Sequence, residues 1–154
     1  IQVPASKGAV GHSDADVLLH AITDALLGAI GAPDIGELFP PSDRRYKGKD
    51  SRWFVAQAVA RVRKAGFRVG NADATVIADA PRLTPYKLKM RQVIARLLAV
   101  APSDVSVKGK TTEGLASGKA GIVVHAVVLL LTAQGSRLKA QGKKILASSL
   151  QPRA

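Results

Sequence analysis

The chain contains no cysteine, which excludes disulfide bonds and thiolate metal ligands. Aromatic residues make up only 4% of it, so no platform for the stacking of nucleic-acid bases is expected. Its longest apolar stretch, 122–131, is interrupted by His125 and is too short to span a bilayer. What remains is a chain of 154 residues, 47% of them apolar, which is long enough for one domain with its own core.

Acidic residues are also scarce. Against 23 lysines and arginines stand 11 aspartates and glutamates, a formal net charge of +12. One small anionic substrate does not require so much positive charge, so the composition predicts contacts with RNA or with acidic subunits of a large assembly. The tail after residue 131 has no acid and five basic residues, namely Arg137, Lys139, Lys143, Lys144 and Arg153. Such contacts are expected at this tail and at the helix face 61–64.

Hydrophobic periodicity predicts an α/β sandwich in which three helices pack on one face of a mixed β-sheet. The helices are expected at 16–28, 50–65 and 85–98, and 31–36 is expected as a turn. The strands are expected at 1–4, 67–78, 105–108 and 122–131. These elements define one domain over 1–131, followed by the basic tail 132–154.

Segment 11–24 concentrates histidines and carboxylates. Asp16, His20 and Asp24 are spaced four residues apart, so a helix stacks them on one face while apolar residues cover another. A histidine between carboxylates can be held in one tautomer and turn its other nitrogen to a metal or a substrate. A histidine that is simply hydrogen-bonded in the core remains an equally acceptable interpretation of the pattern.

Several further segments together resemble one known family. They are 12–17 with 20–28, then 34–40, 70–75, 78–83 and 108–113, and the correspondence runs nearly without gaps from residue 1 to about residue 130. In these segments the chain resembles the 2-C-methyl-D-erythritol 2,4-cyclodiphosphate synthases of the non-mevalonate isoprenoid pathway. Lys110 before Thr111 looks more like the plant and algal members than the enterobacterial ones.

The resemblance implies a lyase that cyclises a cytidine diphosphate derivative of methylerythritol 2-phosphate and releases CMP. It implies a homotrimer with each active site at a subunit interface, zinc held by two histidines and an aspartate, and a second metal, magnesium or manganese. It also implies an organellar location, the plastid for an active enzyme, with the bacterial cytoplasm as the alternative.

The resemblance further assigns roles residue by residue. His20 corresponds to a zinc histidine and Glu113 to the carboxylate that holds the second metal. Catalytic positions around the substrate phosphates correspond to His12, Ser13, Asp24 and Thr111. Polyol, nucleotide and phosphate contacts correspond to Asp34, Gly36, Ala78, Ala80, Pro81, Arg82, Leu83, Thr112 and Lys119.

Three differences from the family pattern leave more than one function open. The family's Asp-x-His pair lies on a strand expected before Ile1, Pro41 stands where an acid contacts the polyol, and the loop 114–121 is about two residues short. The first hypothesis is an active synthase whose first strand precedes Ile1. The second is a non-catalytic member that serves as a structural subunit of an RNA-containing assembly in a mitochondrion or plastid. The third is a binding protein that retains only the nucleotide pocket.

Overall fold

The computed structural model describes residues 16–113 and 121–133. The elements of this part of the chain follow one another as helices and strands separated by short connections. They are α1 (Val17–Gly28), α2 (Ile35–Leu38), α3 (Ser51–Lys64), β1 (Phe67–Ile77), α4 (Lys87–Leu98), β2 (Val105–Lys110) and β3 (Val123–Thr132). Single 3-10 turns occur at Arg44–Tyr46, Thr84–Tyr86 and Pro102–Asp104.

The three strands form one mixed sheet in the order β2-β1-β3. Strands β1 and β2 are parallel, with Ala72 opposite Val105, whereas β1 and β3 are antiparallel, with Thr75 opposite His125. The register between β1 and β3 shifts at Gly70, where an added Cβ would lie 3.0 Å from the Leu131 side chain. The predicted mixed sheet is therefore confirmed.

The helices cover one face of this sheet. Helix α1 packs on α3 and β3, α3 on β1, and α4 on β2. The core is made of small and branched residues from the inner face of the strands and the apolar stripes of the helices, among them Ile22, Leu26, Val55, Val62, Ala74, Val76, Ile94, Leu98 and Val107. On the opposite face of β3 Val123, Val127 and Leu129 stay more than half exposed.

An aspartate caps the start of each of the helices α1 and α3. The Asp16 carboxylate accepts the backbone N–H of Leu19 at 3.0 Å, and the Asp50 carboxylate accepts that of Arg52 at 2.8 Å. Each bond satisfies an amide that has no partner within the helix. The Arg52 guanidinium also binds Asp50 and lowers the pKa of that carboxyl to about 2. The starts predicted for these helices agree with these caps.

The structure corrects several element boundaries. Helix α4 begins at Lys87 rather than Pro85, because Thr84–Tyr86 forms a 3-10 turn before it. The predicted turn at 31–36 overlaps the short helix α2, which Asp34 caps. Strand β2 continues to Lys110, since its parallel pairing with β1 extends that far. Strand β3 ends at Thr132, within the predicted tail, and the predicted strand 1–4 lies outside the described residues.

Candidate functional site

His20 lies at the junction of α1 and α3. Its Nε2 is 2.9 Å from the Oγ of Ser51, the fully buried first residue of α3, and its ring meets Phe54 edge-on at 6.1 Å between centroids. The imidazole is half-buried. Its position is thus fixed by the packing of α1 against α3 and by a hydroxyl 31 residues away in sequence.

Aromatic rings secure the loop beside this junction. Phe39, Tyr46, Trp53 and Phe54 contact one another with centroids 5.2–6.4 Å apart. The Arg61 guanidinium lies 5.2 Å from the centre of the Phe39 ring. Four of the six aromatic residues of the chain therefore hold the loop 40–49 onto α3 next to His20. Only two aromatic residues lie elsewhere in the chain.

Asp24 connects α1 to the segment that was predicted to bind the polyol. Its carboxylate accepts the backbone N–H of Ile35 at 2.8 Å. Asp34 in turn accepts the N–H of Glu37 at 2.8 Å and caps α2, and an added Cβ on Gly36 would lie 3.4 Å from that carboxylate. Asp24, Asp34 and Gly36 are thereby brought into one hydrogen-bonded unit beside α1.

A second group forms where the parallel strands β1 and β2 end. The backbone N–H of Ala78 donates to the carbonyl of Lys110 at 3.0 Å, so the chain segments after the two strands leave the sheet together. The Asp79 carboxylate accepts both the N–H of Thr112, at 2.8 Å, and its hydroxyl, at 2.8 and 2.9 Å. These bonds lower the pKa of Asp79, and the backbone hydrogen bond from Thr112 makes the largest contribution. The loop 78–83 and the segment 111–113 are therefore joined.

The segment after β2 is compactly folded on itself. The Thr111 hydroxyl donates to the Glu113 carboxylate, and Glu113 has a positive φ of 51°. A non-glycine residue is uncommon in this left-handed region and costs free energy, which the surrounding contacts must offset. Thr111 and Glu113 are exposed, so their oxygen atoms are accessible to a ligand at the end of the sheet.

The remaining residues of the nucleotide-binding prediction form the path from β1 to α4. The Ala80–Pro81 peptide bond is cis, and Arg82 is exposed. The carbonyl of Leu83 accepts the N–H groups of Tyr86 and Lys87 at 2.9 and 3.1 Å. Ala78, Ala80, Pro81, Arg82 and Leu83 thus line one exposed turn that presents its backbone beside Thr112.

The described residues do not by themselves make a metal site. Within 16–113 and 121–133, no group of three His, Asp or Glu side chains has the arrangement that a metal ion needs. His20 supplies one imidazole, and a tetrahedral zinc centre takes three or four such ligands. The described residues of a single copy therefore do not complete such a centre.

Some predicted residues lie outside the described part of the chain, namely His12, Ser13 and Lys119. The described ones form two groups, one around His20 and Asp24 and the other around Asp79 and Thr112. From the sequence we also expect His20 to lie near Thr111 and Glu113 of the same chain or of a neighbouring copy, and this stays a prediction.

Ser51 and Asp79 were missed as site residues by the sequence analysis. A serine after a helix cap and an aspartate after a strand are both ordinary, and their partners lie 31 and 33 residues away. Asp79 is the one acidic residue of the segment 78–83, to which nucleotide contacts are assigned from the sequence. That position in the segment is a signal that could have identified it.

A three-stranded mixed sheet covered by helices on one face defines an α+β protein, and the joined segments 78–83 and 111–113 at the ends of its parallel strands are its candidate ligand site. Residues 1–131 match the YgbB family. The 2-C-methyl-D-erythritol 2,4-cyclodiphosphate synthase of Listeria innocua is 52% identical over 132 aligned residues, and the match covers 84% of this chain and 84% of that protein.

Solved structures of the same enzyme agree in fold. One has a TM-score of 0.79 at 39% identity and covers 84% of this chain and 85% of its own. Another, in its CDP-bound form, has a TM-score of 0.79 at 37% identity with the same coverage. The chain belongs to the 2-C-methyl-D-erythritol 2,4-cyclodiphosphate synthase family.

Proposed function

We propose that this chain is a cyclodiphosphate synthase subunit, which binds the cytidine diphosphate derivative of methylerythritol 2-phosphate and releases CMP. The observation that carries the proposal is the bonding of Asp79 to Thr112. It fixes the exposed turn 78–83 beside the hydroxyl-rich segment 111–113. A relative of the same fold has been solved in its CDP-bound form, and a nucleoside diphosphate matches the chemistry of both segments.

The turn 78–83 suits the pyrimidine end of such a ligand. Its backbone N–H and carbonyl groups can pair with the edge of a base, and no charged side chain is needed for that. Arg82 adds an exposed cation, and Thr111 and Thr112 supply hydroxyls for phosphate oxygens. The polyol end is assigned to Asp34 and Gly36, which Asp24 holds through Ile35.

The reaction is an intramolecular phosphoryl transfer. An oxygen of the 2-phosphate attacks the β-phosphorus of the diphosphate, the bond from that phosphorus to the bridging oxygen breaks, and CMP leaves with that oxygen. Because the substrate supplies both reacting groups, the protein contributes mainly by positioning them and by directing hydrogen-bond donors at the phosphoryl oxygens. Zinc and magnesium or manganese remain predicted cofactors of this reaction.

The test compares CDP binding with CMP release in the full-length protein. Thr112→Val removes the hydroxyl that Asp79 accepts, and Asp79→Asn weakens the same contact. We expect each variant to bind CDP about tenfold more weakly, or roughly 1.4 kcal/mol, by calorimetry. CMP release should fall by at least as much.

The matched control is Asp104→Asn, which alters an exposed aspartate that also accepts a backbone N–H, that of Ala101 at 3.3 Å, at the opposite end of β1. It should bind CDP as the wild type does. Binding of CDP without any CMP release would favour the nucleotide-binding hypothesis instead. Absence of CDP binding in the wild type would contradict both.

We also propose that the uncovered face of the sheet is where copies of this chain meet. Val123, Val127 and Leu129 are 51, 69 and 52% exposed there, which is an unusual fraction for large apolar side chains that alternate along one strand. The homotrimer implied by the resemblance would bury them. It would also allow residues of different subunits to meet in one active site.

A further inference from the structure

Two polar side chains are completely buried in the part of the chain that the structure describes, Thr23 of α1 and Ser51 of α3. The Thr23 hydroxyl donates to the carbonyl of Leu19 at 2.8 Å, one turn earlier in its own helix. The Ser51 hydroxyl instead lies 2.9 Å from Nε2 of His20, on the neighbouring helix. Burying a hydroxyl costs free energy unless it is hydrogen-bonded, so each contact helps to make the burial possible. Of the two hydroxyls, that of Ser51 meets a candidate site residue.

The start of α3 is capped without the Ser51 hydroxyl. The N-cap residue is Asp50, whose carboxylate accepts the N–H of Arg52 at 2.8 Å. Helix propensity does not call for a serine at this position either, because alanine is the better helix former. The buried hydroxyl of Ser51 therefore serves a contact outside α3, and that contact is with His20.

Two residues of α3 together orient the His20 imidazole. Ser51 and Phe54 are three residues apart and so lie on the same face of the helix. Ser51 meets Nε2, and the Phe54 ring stands edge-on to the imidazole, at 84° between the planes and 6.1 Å between the centroids. Each ring nitrogen makes one such bond in the plane of the ring. Because Nε2 faces Ser51, a ligand of this imidazole would be bound through Nδ1.

The carboxylates on either side of His20 in the sequence accept backbone amides. Asp16 accepts the N–H of Leu19, and Asp24 accepts that of Ile35. The spacing suggests that a carboxylate one turn away holds the histidine in one tautomer, whereas the structure places a hydroxyl from another helix at Nε2. The hydrogen bond at one ring nitrogen selects the tautomer, and thereby determines what the other nitrogen can do.

We propose that Ser51 is a positioning residue of the cyclodiphosphate reaction, whose hydroxyl holds Nε2 of His20, keeps the imidazole in one tautomer and makes Nδ1 the nitrogen that acts on the ligand. This inference rests on the proposed function, because it adds a residue to the same active site. Ser51 acts through His20 and not on the substrate. Its loss should therefore slow the reaction more than it weakens binding of the nucleotide, which is assigned to the turn 78–83.

The first measurement records long-range proton–nitrogen NMR spectra of the imidazoles in the full-length protein, made with isotope-labelled histidine. The chain has three histidines, so His20→Gln identifies the signals of His20. The spectra are taken at pH 8, at which imidazoles are ordinarily neutral. In the wild type we expect one protonated and one unprotonated nitrogen in His20, as in a single tautomer. In Ser51→Ala the two nitrogen signals should move toward each other, because both tautomers are then populated.

The second measurement separates kcat from KM for the release of CMP. Ser51→Ala should lower kcat about tenfold, because a group that is no longer aligned slows the chemical step. KM, and the affinity for CDP measured by calorimetry, should change by less than about twofold. Ser51→Thr keeps the hydroxyl and should restore the single tautomer and most of kcat.

The matched control is Thr23→Val, which removes the other completely buried hydroxyl, the one bonded within α1. It should retain the His20 spectrum and the kcat of the wild type. If Ser51→Thr does not fold by circular dichroism, the comparison of Ser51→Ala with Thr23→Val decides.

Three outcomes would overturn the proposal. They are an unchanged His20 spectrum in Ser51→Ala, a loss of kcat in Thr23→Val as large as in Ser51→Ala, and a loss in a folded Ser51→Thr as large as in Ser51→Ala. A wild type that releases no CMP would instead contradict the proposed function, and the spectra would then still decide whether Ser51 holds the His20 imidazole.

Discussion

The bond from Asp24 to the Ile35 amide suggests what that aspartate does. A carboxylate whose oxygen accepts a backbone N–H at 2.8 Å is well placed to hold the segment 34–36 against α1. The resemblance placed Asp24 among the catalytic residues, beside His20. The structure offers a specific alternative, a positioning role exerted through Ile35, and a pair of substitutions distinguishes the two.

For Asp24 we expect Asp24→Asn to keep kcat/KM for CMP release within about threefold, because an amide oxygen still accepts the Ile35 N–H. Asp24→Ala should lower it about tenfold, since a hydrogen bond to a charged group is worth about 1.5 kcal/mol. Steady-state kinetics on the full-length protein provide the measurement. A loss in Asp24→Asn as large as that in Asp24→Ala would show that the negative charge itself takes part in the reaction.

The sequence could not predict which residues of the candidate site contact one another. The spacing of Asp16, His20 and Asp24 correctly placed His20 and Asp24 on α1, whereas Asp16 is the N-cap residue just before it. It could not show that Ser51 faces the His20 Nε2, since nothing within α1 or α3 alone sets how the two helices approach each other. The bonding of Asp79 to Thr112 was hidden for the same reason, as it depends on the parallel pairing of β1 with β2.

The positions of the helices and strands could be predicted from the sequence more readily than the contacts between them. Asp16 and Asp50 cap helices at the starts predicted from the sequence, and Gly66 with a φ of 85° follows α3 near the predicted end of that helix. The register shift at Gly70 was not foreseeable, because it arises from the meeting of β1 with Leu131 of β3. That close approach also makes Gly70 the glycine whose substitution is most informative.

Gly70→Ala should destabilise the fold by about 1–3 kcal/mol, the usual cost of forcing an extra methyl into a packed contact. Its Cβ would lie 3.0 and 3.1 Å from the Leu131 side chain and 3.3 Å from the Leu129 carbonyl oxygen. Gly28→Ala is the control, because its Cβ would meet nothing within 4 Å and helix α1 should become more stable, by up to about 1 kcal/mol. Urea unfolding measures both. Equal stabilities of the two variants would show that β3 can move away from Gly70 without cost.

At the scale of the whole molecule, charge and apolar surface are segregated. The helices cover one face of the sheet, the outer face of β3 remains apolar, and Arg63, Lys64 and Arg68 are exposed where α3 ends and β1 begins. No helix in the described ranges combines the length and the hydropathy that crossing a membrane requires. The organellar location implied by the resemblance stays a prediction.

Self-association through β3 can be tested at one position. Val127, at 69% exposure, is the most exposed large apolar residue of the strand, so Val127→Lys should fold normally in isolation but place a charge in the contact between copies. We expect light scattering after size-exclusion chromatography to give three times the 16.1 kDa chain mass for the wild type and a single chain for the variant. Leu88→Lys, which alters a residue 64% exposed on α4, should remain a trimer. A monomeric wild type, or a Val127→Lys variant that stays trimeric even with Leu129→Lys added, would show that the apolar face of β3 does not hold the copies together.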